Sequence, residues 1–108
     1  MLPKKNRVDR KGINLLFKEG KSIVSPIFTF KFKVYGTKAE PRVSVTAPKS
    51  VTKLAVSRNL LRRRGYNALG KQLSDLPSGL VGVLIFRKYE DDISKLEQDT
   101  KGIFSKVC

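Results

Sequence analysis

A chain of 108 residues with 40% apolar side chains carries 23 lysines and arginines against 9 aspartates and glutamates, a formal net charge of +14, with no histidine. That length suits one domain able to bury about two thirds of its unfolded surface, and a charge this large opposes compaction and calls for an anionic polymer as partner. The lack of histidine excludes a Ser/His triad and a histidine metal site, and the single cysteine, Cys108, has neither a disulfide partner nor a histidine to activate it. The charge is also uneven. Residues 1–74 hold 18 basic and 3 acidic side chains, whereas residues 75–108 hold 5 and 6. No run of about 18 apolar residues and no signal-peptide core is present, so a cytosolic location and a nucleic-acid rather than a membrane partner are expected.

Residues 1 to 8 are basic and expected to be extended, with Pro3 opposing an early helix. Asp9 is placed to cap a first helix, in which Ile13, Leu16 and Phe17 recur at three- and four-residue spacing until Gly20. From Ile27 to Tyr35 the chain alternates. Phe28, Phe30, Phe32 and Val34 share one face, Thr29, Lys31, Lys33 and Tyr35 the other. The first face is core; the second is polar and basic, a pattern common to a solvated antiparallel face and to the floor of a groove for single-stranded nucleic acid. Residues 36–41 read as a turn, and Arg42 to Ala47 as a short strand expected to pair with the first as a hairpin. Pro48 ends it, and a loop from Lys49 to Lys53 leads into a central helix expected over residues 55 to 66 and on to about Leu73. Pro77, Ser78 and Gly79 break the chain before Leu80 to Phe86, a near-continuous apolar run of the kind found in a central strand covered on both faces. A weaker amphipathic helix spans Ile93 to Phe104, and Glu90, Asp91 and Asp92 before it complement its dipole. The order α-β-β-α-β-α describes a single α+β layer domain over residues 1 to 108.

The central helix carries the strongest functional signal, with four arginines in positions 58 to 64. At about 100° per residue, Leu54, Ser57, Leu61, Gly65, Ala68 and Leu69 share the arc expected to pack on the sheet. Arg58, Arg62, Tyr66, Asn59 and Arg63 follow each other around the adjoining arc as a donor stripe, with Arg64 outside it. A guanidinium presents a planar fork to phosphate oxygens, asparagine can donate and accept at a base edge, and tyrosine can stack on a base. An arginine run ordinarily reads as a solvated helix face. Here no carboxylate lies between Glu40 and Asp75, so these groups lack helical partners and repel one another until an anion arrives. Glu90, Asp91 and Asp92 form the one tight carboxylate cluster. Successive helical residues diverge, so the cluster reads as a helix start rather than a magnesium site. No glycine-rich phosphate loop is present, and no cofactor is expected on the protein itself.

The stretches PKKNRV, LFKEG, RVSVTAPKSV, AVSRNLLRRR and VGVLIFRK, in this order and spacing, resemble the protein subunit of bacterial ribonuclease P over nearly the whole chain. The resemblance implies a ribonuclease P protein-like α/β fold, akin to the second domain of a small-subunit ribosomal protein. It also implies a left-handed β-α-β crossover, where general rules give a right-handed one. It implies a protein that partners a catalytic RNA and the 5′ leader of precursor tRNA, needing no further protein partner. Cleavage to the mature 5′ end is then carried by the RNA with Mg2+, and the protein is part of an enzyme only as its accessory subunit.

Carried over by position, Arg58 and Asn59 match the first two residues of the family's RNR signature, and Arg62 and Arg63 the basic pair after it, as contacts to the catalytic RNA. Leu60 stands where the second arginine is expected. Lys49 matches a basic residue entering the central helix, and Lys53 joins it on the RNA side. Phe17 matches an aromatic lining the leader cleft, Ile13 stands where phenylalanine is frequent, and Lys31 where some members carry tyrosine. Thr29, Lys33 and Tyr66 complete that cleft, expected in the groove between the central helix and the sheet. Asn6 and Arg7 match an N-terminal asparagine-arginine pair, while Pro48 and Ser50 depart from the usual serine and lysine. Composition alone equally fits a ribosomal protein or a general RNA chaperone. A free-standing nuclease is disfavoured by the missing histidines and carboxylate pairs.

Overall fold

The computed structural model describes residues 10–36, 38, 40–70, 72 and 76–107. In chain order the elements are α1 (Arg10–Glu19), β1 (Lys21–Val24), β2 (Phe28–Val34), β3 (Arg42–Thr46), α2 (Ala55–Gly70), β4 (Leu80–Phe86) and α3 (Ile93–Ser105). Six of these coincide closely with the expected elements, and β1 is an addition. Its four residues are too few for an alternating pattern to show. Asn6, Arg7, Asp9, Leu73 and Cys108 lie outside the described residues, as does the side chain of Ile13.

The four strands form one sheet in the order β1-β2-β4-β3. The hairpin expected between residues 27–35 and 42–47 does not form. Instead β4 lies between the two strands, antiparallel to β2 from Phe28↔Phe86 to Val34↔Leu80 and parallel to β3 from Arg42↔Val81 to Thr46↔Ile85. The physical reason is the composition of β4, whose apolar run needs cover on both faces and a partner along both edges. β3, with Arg42 exposed, takes an edge instead. The true hairpin partner of β2 is β1, reached through a tight turn in which the Ser25 amide donates to the Phe28 carbonyl at 2.8 Å. With β3 and β4 parallel, β3, α2 and β4 make a β-α-β unit.

Alternation then divides the sheet. Phe28, Phe30, Phe32, Val43, Val45, Leu80, Leu84 and Phe86 are buried on the face that receives α2 and α3. The Phe28 and Phe86 rings meet at 4.6 Å between centroids, and Phe30 meets Phe32 at 5.2 Å and Phe104 of α3 at 5.4 Å. Each such ring contributes on the order of 2 kcal/mol by leaving water. Two glycines permit close approach. A Cβ on Gly65 of α2 would lie 2.8 Å from a Val45 methyl, and one on Gly82 would lie 2.5 Å from the Phe30 ring. The opposite face meets α1, which contacts β2 and β4 and buries Leu16.

Polar contacts fix the helices on this frame. Gln72 donates to the Thr100 hydroxyl, and that hydroxyl donates to the Leu96 carbonyl, tying the chain just past α2 to α3. The Ser25 hydroxyl donates to the Asp99 carboxylate, pinning the β1–β2 turn to α3. Asp92 accepts from the Ser94 amide at 2.9 Å and caps α3, so this member of the acidic cluster marks a helix start.

The contact at Gly82 sets a stability prediction. Gly82→Ala forces its methyl into the fully buried Phe30 ring, which has no room to retreat. The variant loses about 2 kcal/mol in urea unfolding, and unchanged stability would mean the sheet and ring pack less tightly than described.

Candidate nucleic-acid interface

The arginine stripe begins where β3 hands the chain to α2. The Leu54 carbonyl accepts from the Arg58 amide at 3.0 Å, the first turn of the helix. The Arg58 guanidinium folds back on the preceding loop, Nη1 donating to the carbonyls of Thr52 at 3.1 Å and Lys53 at 2.8 Å. Arg58 is therefore half-buried and partly structural, and its Nε and Nη2 are further donors of the same guanidinium. One turn on, Nη2 of Arg62 donates to Oδ1 of Asn59 at 2.6 Å. With its amide oxygen engaged, exposed Asn59 keeps two N–H donors for another partner. Arg58, Asn59 and Arg62 line a groove of about 330 Å3 with Val45, Thr46, Ala47 and Ala55. Arg63 of α2 and Lys49 and Lys53 of the loop before it are exposed. The groove offers ready-oriented donors to phosphate oxygens, beside small side chains that do not obstruct a sugar-phosphate backbone.

A second candidate surface lies on the face that meets α1. Phe17 of α1 is 51% exposed, and Nζ of Lys31 sits 5.0 Å from its ring centroid. Farther along β2, Lys33 pairs with Glu19 at 3.1 Å and stands 5.3 Å from the Tyr35 ring. The Lys33–Glu19 pair is solvated and contributes little to stability. Thr29, Lys31 and Lys33 alternate with the buried phenylalanines and therefore share this face. Aromatic rings next to ammonium groups form a surface on which bases can stack while phosphates meet positive charge.

Two expectations need correction. Tyr66 does not project from the stripe: it is 9% exposed, and its hydroxyl accepts from the buried Val45 amide at 3.2 Å. The missing side chain at Gly65 lets the helix lie close against β3, and the next residue, Tyr66, turns inward to that sheet edge. The residues expected to line a cleft also do not gather between α2 and the sheet: the groove there belongs to Arg58, Asn59 and Arg62, the rest of that interface is packed with Leu61, Leu69, Val45 and Phe86, and Lys31 and Phe17 stand on the other face, beside α1. The expected packing arc holds for Leu61, Gly65, Ala68 and Leu69, whereas Leu54 precedes the helix and is 68% exposed. Sequence reasoning missed the loop-clasping role of Arg58, whose signal was its position one turn into a helix that lacks a side-chain N-cap acceptor.

These contacts predict separate roles for neighbouring residues. Tyr66→Phe leaves the Val45 amide unsatisfied and costs about 1 kcal/mol of stability, while its affinity for RNA, once folded, stays within twofold of the parent. A tenfold affinity loss would restore Tyr66 to the interface.

Comparison with curated protein sequences gives no match. Among solved structures, the ribonuclease P protein of Thermotoga maritima superposes with a TM-score of 0.80 at 23% identity, covering 93% of this chain and 96% of that one. That of Staphylococcus aureus superposes with a TM-score of 0.79 at 16% identity, covering 96% and 95%. These likenesses establish the fold. The sequence model of the Ribonuclease P family matches residues 2–108, and the chain belongs to that family.

Proposed function

We propose that this component of ribonuclease P holds two RNA elements at once, the catalytic RNA on α2 and the single-stranded 5′ leader of precursor tRNA on the face beside α1. The observation that carries the proposal is the groove of Arg58, Asn59 and Arg62, whose donors are already fixed by hydrogen bonds before RNA arrives. Pre-oriented donors lose little conformational freedom on binding. Lys31, Lys33 and Phe17 supply counter-charge and a stacking surface for the leader. The protein then positions substrate against RNA, and the residues of the α2 groove hand no proton to the reaction. That groove is lined by arginine, asparagine and small side chains, a donor set suited to phosphate and not to Mg2+. Magnesium bound by the RNA would activate the attacking water and stabilise the leaving oxygen. Acting in this way, the chain works as a single cytosolic domain.

Neutralising about six phosphates gives a log-log salt slope of roughly −4 to −5 for binding the RNA subunit, and a slope near zero contradicts an electrostatic docking surface. The functional test is cleavage of precursor tRNA by the cognate catalytic RNA at low magnesium. Arg62→Ala/Arg63→Ala is the informative variant, because Arg58 also holds its own loop. The parent protein stimulates cleavage and the folded variant loses at least tenfold of that stimulation. RNA binding without any stimulation by the parent would favour a ribosomal or chaperone role.

A further inference from the structure

We infer that the RNA path continues beyond the face beside α1, into a separate basin at the β1 edge that takes the next nucleotides of the same single strand. The inference rests on the proposed function and extends it. The basin measures about 510 Å3 and lies between the end of α3 and the β1–β2 hairpin. Its floor is apolar, formed by Phe32, Val34 and Val107. Val34 continues the file of Phe28, Phe30 and Phe32, yet it is 46% exposed while those three are buried. Lys21 is the cross-strand partner of Phe32 and so stands on that same face. Lys106 caps the end of α3 and lines the same basin, where a cation also offsets the carbonyl end of the helix.

Continuity with the neighbouring face identifies the occupant. Lys33 and Glu19 line the basin and also form the ion pair that borders the Phe17–Lys31 surface. They make a sill shared by the two sites. From Lys31 to Lys33 the chain advances about 7 Å along β2, so a strand laid over Lys31 reaches this sill, where it turns round the β1 edge onto the face that carries Phe32 and Val34. Beyond it, an apolar floor flanked by two ammonium groups fits a base lying flat with its phosphates held on either side. Neither Lys21 nor Lys106 has an ion-pair partner among the described residues. Both remain available to an anion.

The test compares Lys21→Ala/Lys106→Ala with the parent protein, using single-stranded RNA of about four and about ten nucleotides. Binding is read by fluorescence anisotropy across a salt series. The short strand binds parent and variant within twofold of each other. The long strand binds the variant roughly tenfold more weakly, with a salt slope shallower by about 1.4. Equal affinities for the long strand, or equal weakening of both strands, would overturn the basin. Tighter binding of a glutamate-rich peptide than of the long strand at the same lysines assigns the basin to a protein partner and overturns it as well. If neither RNA binds the parent protein, the underlying two-surface proposal fails first, an outcome distinguishable from failure of the basin alone.

Discussion

Seven residues of β4 hold β2 along one edge and β3 along the other, and both candidate surfaces depend on that insertion. It converts the alternation of β2 into two chemically opposed faces. The phenylalanines go to the side of α2 and α3, the threonine and lysines to the side of α1. It also requires α2 to bridge two parallel strands, which carries its first turns across the end of β3 and fixes where the arginines stand. The Gly82–Phe30 contact lets β4 sit there at ladder distance, since any side chain at that position meets the ring.

Rigidity is distributed according to this plan. Arg58 is clasped to two loop carbonyls, Arg62 is tied to Asn59, and α2 is drawn onto β3 through Gly65 and the Tyr66 hydroxyl. A donor set held by its own fold presents phosphate-binding geometry without ordering long side chains at the moment of contact. The face beside α1 is looser in kind. It consists of lysines beside aromatic rings and one solvated ion pair, a chemistry that discriminates little between bases because every base has a stackable face.

Much of the fold was legible because it follows local rules. Phenylalanines at every second residue mark β2, a proline and glycine break precedes β4, and Asp92 begins α3. The strand order was not legible. A short connection between two strands favours a hairpin, and only the apolar run of β4 argues against it, through a long-range pairing that no local pattern reports. The arginine stripe followed from helical spacing, but spacing alone could not tell Tyr66 from its basic neighbours. Both lie near the boundary of the packed arc, and the decision came from a buried edge amide that needed an acceptor. The position of Phe17, Lys31 and Lys33 beside α1 was hidden for the same reason: these residues are identifiable one strand at a time, while the helix that faces them depends on topology.

The surface beside α1 proposed for the leader and the α2 groove proposed for the catalytic RNA lie on opposite sides of one sheet. Amide chemical shifts of the isotope-labelled chain, followed while a short single-stranded RNA is added at physiological salt, test that division most directly. With the leader on the α1 side, the amides of Phe17, Thr29, Lys31 and Lys33 move together and saturate, while those of Asn59, Arg62 and Arg63 stay unmoved. Saturating shifts confined to α2, with β2 silent, would contradict it.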